Sequence, residues 1–152
     1  MSGLFFDDRN IYWQELDGIE HLQYFILDID EPAKTLDILF KFAARQQIVL
    51  HRHKVLNKTF VIQGEHRLYH TDGRIKDIRA VGSYTVSPPS DEPHREGGGD
   101  EDAIVLFHIR GDAGTLYQIL DDQLSPVAEL SLQDFIALRL IQREKPSFGL
   151  EE

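Results

Sequence analysis

Apolar and polar residues alternate with a period of two along most of this chain, in short runs cut by turn-forming residues, and that pattern predicts β-strands. The first runs are Ile11–Leu16, a break at Asp17-Gly18, then Ile19–Ile29, rich in aromatic and β-branched residues and closed by Asp30-Glu31-Pro32. Lys34–Ala44 has the length of a helix, yet Leu36, Ile38 and Phe40 alternate and breakers flank the run, so a strand is expected. Further strands follow at Gln47–His53 and Thr59–Gln63, a turn at Gly64-Glu65, His66–His70, a hairpin turn at Asp72-Gly73, Arg74–Arg79 and Gly82–Ser87. Proline and glycine then break the pattern, which predicts a loop from Pro88 to Glu101. Ala103–Arg110, a turn at Gly111–Gly114 and Thr115–Leu120, ending at Asp121-Asp122, complete the series. Short strands with turn chemistry every ~8 to 12 residues indicate an antiparallel sandwich or barrel.

Only the end of the chain changes period. Ser131-Leu132-Gln133-Asp134 offers a hydroxyl cap with an acidic residue three positions on, and Leu132, Phe135, Leu138 and Ile141 form a stripe of helical spacing. One helix is expected over residues 131–143. Residues 1–10 read as an irregular arm whose Leu4, Phe5 and Phe6 can tuck against a neighbour. The expected organisation is one domain over 1–152, with the arm and first strands in 1–33 and the barrel in 34–121.

Composition narrows the function classes. The 152 residues carry 16 Lys and Arg against 26 Asp and Glu, a formal net charge of −10 that repels phosphate backbones and anionic lipid headgroups. No nucleic-acid partner and no membrane partner are expected. The absence of cysteine excludes disulfides and cysteine-type zinc sites, so a metal would rest on His, Asp, Glu, Asn or water. With no basic, apolar leader at the N-terminus and no apolar run near ~18 residues, a cytoplasmic location is expected.

The candidate chemistry lies in His51-Arg52-His53. Two histidines one residue apart on a strand point the same way, roughly 7 Å apart along the backbone, so their rings can converge on one ion. Parity places Val49, His51 and His53 on one face, and Asn57, Thr59 and Val61 on one face of the next strand. Asn57 is therefore a candidate weak ligand or supporting donor. His94, in Ser87-Pro88-Pro89-Ser90-Asp91-Glu92-Pro93-His94, is the candidate third ligand. Neutral imidazole suits iron, zinc, copper or nickel, and three protein nitrogens leave positions open for water, substrate or dioxygen.

The spacing resembles the two motifs of the cupin superfamily. His51-x-His53, three residues, Asn57, six residues, Gly64 is similar to the first motif, Gly, five residues, His-x-His, three or four residues, Glu, six residues, Gly. Gly82, five residues, Pro88 and then His94 is similar to the second. The resemblance covers residues 34–121, with departures: Arg45 stands for the first Gly, Asn57 for the metal-binding Glu, Ser90 for a Gly, and Gly98 for the terminal Asn, and one extra residue precedes His94. It implies an all-β fold, the double-stranded β-helix or jelly-roll barrel, with one C-terminal α-helix. It also implies a divalent metal held by His51, His53 and His94 without a carboxylate, as in small cupins of the acetylacetone-cleaving and dihydroxyacetophenone dioxygenase type. Fe(II) comes first, with Zn(II) or Ni(II) as alternatives. The implied activity is dioxygenase cleavage of a C–C bond in a small diketone or hydroxyketone bound as a chelating enolate. The competing readings are a cupin that binds metal or a small ligand as a sensor or store, and a metal-free barrel.

Remaining residues take blander expectations. Glu96 could ligate, act as a base or orient an imidazole, and it and Asn57 are the candidate catalytic groups, but a mobile acidic loop residue is the default for Glu96. Gly97-Gly98-Gly99 lacks the ending of a phosphate loop and reads as a flexible loop that could act as a lid. His66 and His70 read as surface or supporting groups, and His21 and His108 as structural. Cupins commonly dimerise, and the aromatic N-terminal segment could add a strand to a partner's sheet, so a homodimer is expected.

Overall fold

The computed structural model describes residues 6–111 and 114–143. Twelve strands and one helix follow in chain order: β1 Gln14–Glu15, β2 Leu22–Asp30, β3 Thr35–Phe42, β4 His51–His53, β5 Leu56–Gln63, β6 His66–Tyr69, β7 Ile75–Arg79, β8 Tyr84–Ser87, β9 Arg95–Gly98, β10 Ala103–Arg110, β11 Thr115–Leu120, β12 Pro126–Ser131 and α1 Leu132–Ile141. One wall of the barrel is a six-stranded sheet in the order β1-β2-β3-β10-β5-β8. The other wall is two three-stranded sheets, β12-β11-β4 and β7-β6-β9, knitted together where His51 and His94 exchange both backbone hydrogen bonds, 3.1 and 3.0 Å. Every strand pairing is antiparallel. This is the all-β antiparallel barrel that the alternation predicts, in the jelly-roll arrangement with one C-terminal helix that the cupin resemblance implies.

The core follows from parity. Leu36, Ile38, Phe40 and Phe42 of β3 face Ile109, Phe107, Val105 and Ala103 of β10 in register, and all eight are buried. Phe107 meets Phe40 edge-on at 5.1 Å between ring centres. Burying an aromatic ring of this kind contributes roughly 1.5–3 kcal/mol. The helix closes the open end of the barrel with Phe135, fully buried, and its start is a capping box: Ser131 Oγ accepts from the Asp134 amide at 3.2 Å while Asp134 Oδ2 accepts from the Ser131 amide at 2.7 Å. Just past its end, Gln142 donates to the Ile26 carbonyl and accepts from the Ile26 amide, bonding β2 beyond the residues that β1 pairs.

Several elements differ from their expectation. The run Ile11–Leu16 forms only the two-residue β1, and Pro126–Ser131 forms an unexpected strand, β12, because its pairing with β11 supplies the order that its exposed, weakly alternating residues do not. The loop expected from Pro88 to Glu101 contains β9, with Gly97, Gly98 and Gly99 buried. A Cβ at Gly98 would lie 2.8 Å from the Phe42 carbonyl oxygen and 2.9 Å from that of Glu101, so glycine here admits close backbone crossing, and the lid reading is corrected. Arg45, which replaces the glycine of the first motif, has φ +60°, the left-handed conformation a glycine adopts without cost. Part of the turn expected at Gly111–Gly114, and Leu4 and Phe5 of the arm, lie outside the described residues.

Candidate metal centre

His51 and His53 are the ends of β4, and alternation turns both inward while Arg52 points out to the Asp91 carbonyl and the Gln118 side chain. The chain around His94 repeats the device in the opposite direction. His94 and Glu96 turn inward while Arg95 reaches out to Asp122 at 3.0 Å. Two residue pairs with i, i+2 spacing thus face one another across the seam of the second wall. Their ligand atoms, one from each of His51, His53, His94 and Glu96, all lie within 4.8 Å of one another.

The contacts are close. The Nε2 atoms of His51 and His53 are 3.1 Å apart and those of His53 and His94 3.2 Å, while Glu96 Oε2 lies 2.6, 3.0 and 3.2 Å from the Nε2 of His51, His53 and His94. Donors bound to a common ion at 2.0–2.2 Å, at tetrahedral or octahedral angles, are roughly 2.8–3.6 Å apart, the range that all but the shortest of these spacings occupy. His51 Nδ1–H donates to the Val49 carbonyl at 2.8 Å, so its Nε2 is the nitrogen left to face the centre.

The electrostatics agree with a cation site. Burial pulls the His53 imidazolium down to about 4, against the opposing pull of Glu96, and burial likewise lowers His94. Burial would push the Glu96 carboxyl up, but hydrogen bonds from His51, His53, His66 and His94 outweigh it and hold the group well below the usual carboxylate range. The result is an ionised carboxylate beside the His53 and His94 imidazoles, both biased towards neutrality, the protonation states that metal ligation requires.

Behind the cluster stands His66, fully buried and stacked on Phe42 at 5.0 Å. Its Nε2–H donates to Glu96 Oε1 at 2.6 Å, which leaves Oε2 to face the three imidazoles. Its Nδ1 is buried with no hydrogen-bond partner among the described residues. The expectation for Glu96 is corrected here: it is 2 % exposed on a strand, not a mobile loop residue. Its signal was present, since a residue two positions from His94 shares its face if the segment is extended, but the surrounding prolines and glycines masked the strand. Asn57 is buried as parity requires, yet its amide donates to the Val55 carbonyl at 3.0 Å and accepts from the Tyr117 hydroxyl at 3.2 Å. It braces the wall beside the cluster and is outside the group of four. His21 is exposed in the turn before β2, His70 is half-buried just past β6, and His108 pairs with Asp37 on the outer face.

A cavity of about 390 Å³ opens onto this cluster, with His53, His94 and Glu96 at its floor, Asn57, Thr59 and Phe107 along its sides and Lys76, Arg79 and Glu92 towards its mouth. Thr59 Oγ1 is buried there with no hydrogen-bond partner among the described residues. A larger concavity of about 1020 Å³, floored by the Asp17–Leu22 turn, is open and holds none of the four ligand candidates.

Walls, seam and cluster together define a class of protein: a small jelly-roll barrel with a histidine-rich centre facing its interior, which is the cupin fold. No protein-family model matches the sequence, and no curated protein matches it. Solved structures do. An acetylacetone dioxygenase from Acinetobacter johnsonii superposes with a TM-score of 0.70 at 12% identity, over 94% of this chain and 93% of that one. An RmlC-like cupin protein from Ralstonia eutropha JMP134 gives 0.71 at 18%, over 96% and 93%. The polyketide cyclase RemF from Streptomyces resistomycificus gives 0.56 at 18%, over 73% and 81%. At such identities the likeness establishes the fold, and the chemistry must be argued from the site.

Proposed function

We propose that this cupin is a mononuclear metal-dependent dioxygenase that cleaves a C–C bond of a small diketone or hydroxyketone, with Fe(II) as its working ion. The observation that carries the reading is the buried cluster of His51, His53, His94 and Glu96 opening onto a cavity of small-molecule size. His51, His53 and His94 would hold the ion, joined by Glu96 Oε2. When bound, such an ion supplies a Lewis acid for a carbonyl oxygen and a partner for dioxygen.

The chain's own residues do the rest. Glu96 brings one negative charge, so the centre is less cationic than a three-histidine set would be, and the enolate preference expected of that set is correspondingly weaker. His66 fixes which carboxylate oxygen faces inward. Phe107 and the buried Tyr117 ring, edge-on to His53 at 5.0 Å, keep the inner side apolar and limit water. Thr59 lines the cavity beside the cluster, with its Oγ1 buried and unpartnered among the described residues. Anaerobic loading with Fe(II) followed by acetylacetone should give oxygen uptake in step with substrate loss. No uptake across a panel of diketones and hydroxyketones overturns the reading.

One observation favours a second reading, a cupin that retains metal or a small ligand without turnover. Four donors already converge, and a four-donor set is what closed, non-catalytic zinc sites present. Tightly held Zn(II) or Ni(II), with no activity after exchange for Fe(II), is its signature.

A further inference from the structure

The outer face of the six-stranded sheet carries an ordered pattern. One cross-strand row, Phe25, Leu39, Leu106, Phe60 and Tyr84, runs in register over β2, β3, β10, β5 and β8, apolar throughout and about 19 Å long at the usual strand spacing. Phe60 is 42% and Tyr84 61% exposed. The next row, Asp28, Asp37, His108 and Lys58, is divided by sign: acidic on β2 and β3, basic on β10 and β5. The row beyond it repeats the division, with Asp30 on β2 and Arg110 on β10. Among the described residues Lys58 and Arg110 have no carboxylate partner, although the chain carries a net charge of −10.

We propose that this face is an interface between two copies of the chain, related by a two-fold axis running along the strands between β3 and β10. That axis lays β3 on the partner's β10 and β2 on the partner's β5 without shifting position along the strands. Asp37 then faces His108 of the partner subunit and Asp28 faces the partner's Lys58, while Leu39 meets the partner's Leu106 and Phe25 meets the partner's Phe60. Such self-complementarity is what an isologous contact demands. Two acidic chains repel at long range, and an acidic half paired with a basic half is the arrangement that turns this repulsion into attraction at contact. Face-to-face sheets also suit the geometry, since aligned sheets pack readily about 10 Å apart. Where it is described, the N-terminal segment lies on its own chain: Trp13 donates to Asp8 at 2.8 Å and β1 pairs with its own β2.

Sedimentation equilibrium of the full chain across micromolar concentrations tests this, with circular dichroism to confirm folding. Wild type should have twice the 17.5 kDa chain mass. Phe60→Asp should sediment as a monomer, and Tyr84→Glu, on the edge strand, serves if the first variant misfolds. Lys58→Asp should weaken association at least tenfold by setting Asp against Asp28 of the partner subunit. Adding Asp28→Lys should restore most of it, because the pair is then exchanged in both directions. Asp28 also lies 4.0 Å from Arg139, an exposed contact whose loss matters little. A monomeric wild type, a Phe60→Asp variant that associates unchanged, or a charge exchange no better than the single reversal would each overturn the proposal. None of these readouts depends on metal or turnover, so they stand apart from the dioxygenase reading.

Discussion

His66 meets Glu96 at 2.6 Å inside the barrel, and His108 meets Asp37 at the same 2.6 Å on its outer face. The side chains of the inner pair are 1% and 3% exposed and those of the outer pair 38% and 37%. The inner carboxylate also receives three further imidazoles, whereas the outer one has a single partner among the described residues. Equal distances therefore describe unlike objects. Water screens the outer pair and leaves it worth little; inside, nothing but the cluster itself compensates the charge on Glu96, and a cation is the natural complement. The largest expected effect is accordingly on metal. His53→Ala should lower Zn(II) affinity by more than about 100-fold, beyond what loss of a supporting residue does. Metal content after dialysis against a competing chelator reads it, and wild-type content in the variant would dissolve the distinction between the two sites.

The metal-free protein should reveal the same contrast through pH. His53 is lowered to about 4 in the folded chain, so between its ordinary value near 6.5 and about 4 the unfolded chain binds a proton that the folded chain refuses. Stability must fall as pH drops through that window, by up to about 3 kcal/mol, since each pH unit crossed there is worth about 1.4 kcal/mol. Glu96, held below its ordinary range, contributes stability that is present above the ordinary carboxylate value and lost as pH falls through its lowered one. Urea unfolding of the chelator-treated protein at several pH values, wild type minus His53→Phe, isolates the histidine's share. A difference independent of pH would contradict it.

A smaller effect separates the supporting residue from the ligands. His66→Phe keeps an aromatic ring on Phe42 but removes the donor to Glu96 Oε1, and should weaken Zn(II) binding by about 10- to 100-fold while leaving one ion per chain at saturation. Loss of the ion altogether would promote His66 to a ligand; unchanged affinity would remove it from the site.

How much of this was legible in the sequence follows from which interactions are local. Strict alternation is a property of neighbours, so the parity of His51 with His53 and of Asn57 with Thr59, and the cap at Ser131, could be read directly and were found in place. Glu96 was named as a candidate, but its place on a buried strand, β9, was not read, because the strand is imposed by β6 and by the backbone of residues 42–47, which are remote in sequence, on a stretch whose prolines and glycines argue for a loop. The same distance hid His66. Its alternation with Leu68 marks an inward face, but nothing within its own segment says that a carboxylate from β9 will lie against it. Asn57 shows the converse: parity put it inside correctly, while its partner Tyr117, sixty residues away, decided that it would not face the cluster.

The smallest effect is the sharpest control on the comparison. His108→Ala should change the chain's own stability by no more than about 0.5 kcal/mol, the usual yield of a half-exposed pair. Asp37 loses its partner but keeps access to water, and the outward-facing position imposes no cavity, since the neighbouring Phe107 and Ile109, not His108, carry the packing of β10. Because the same histidine lies on the face proposed to bind a second copy, the measurement belongs in the Phe60→Asp background, where association does not enter. Denaturant unfolding at pH 7 of that variant with and without His108→Ala reads the difference. A loss of about 2 kcal/mol would mean that a 2.6 Å contact on the outer face is as consequential as one in the cluster, and that distance, after all, outweighs burial in this barrel.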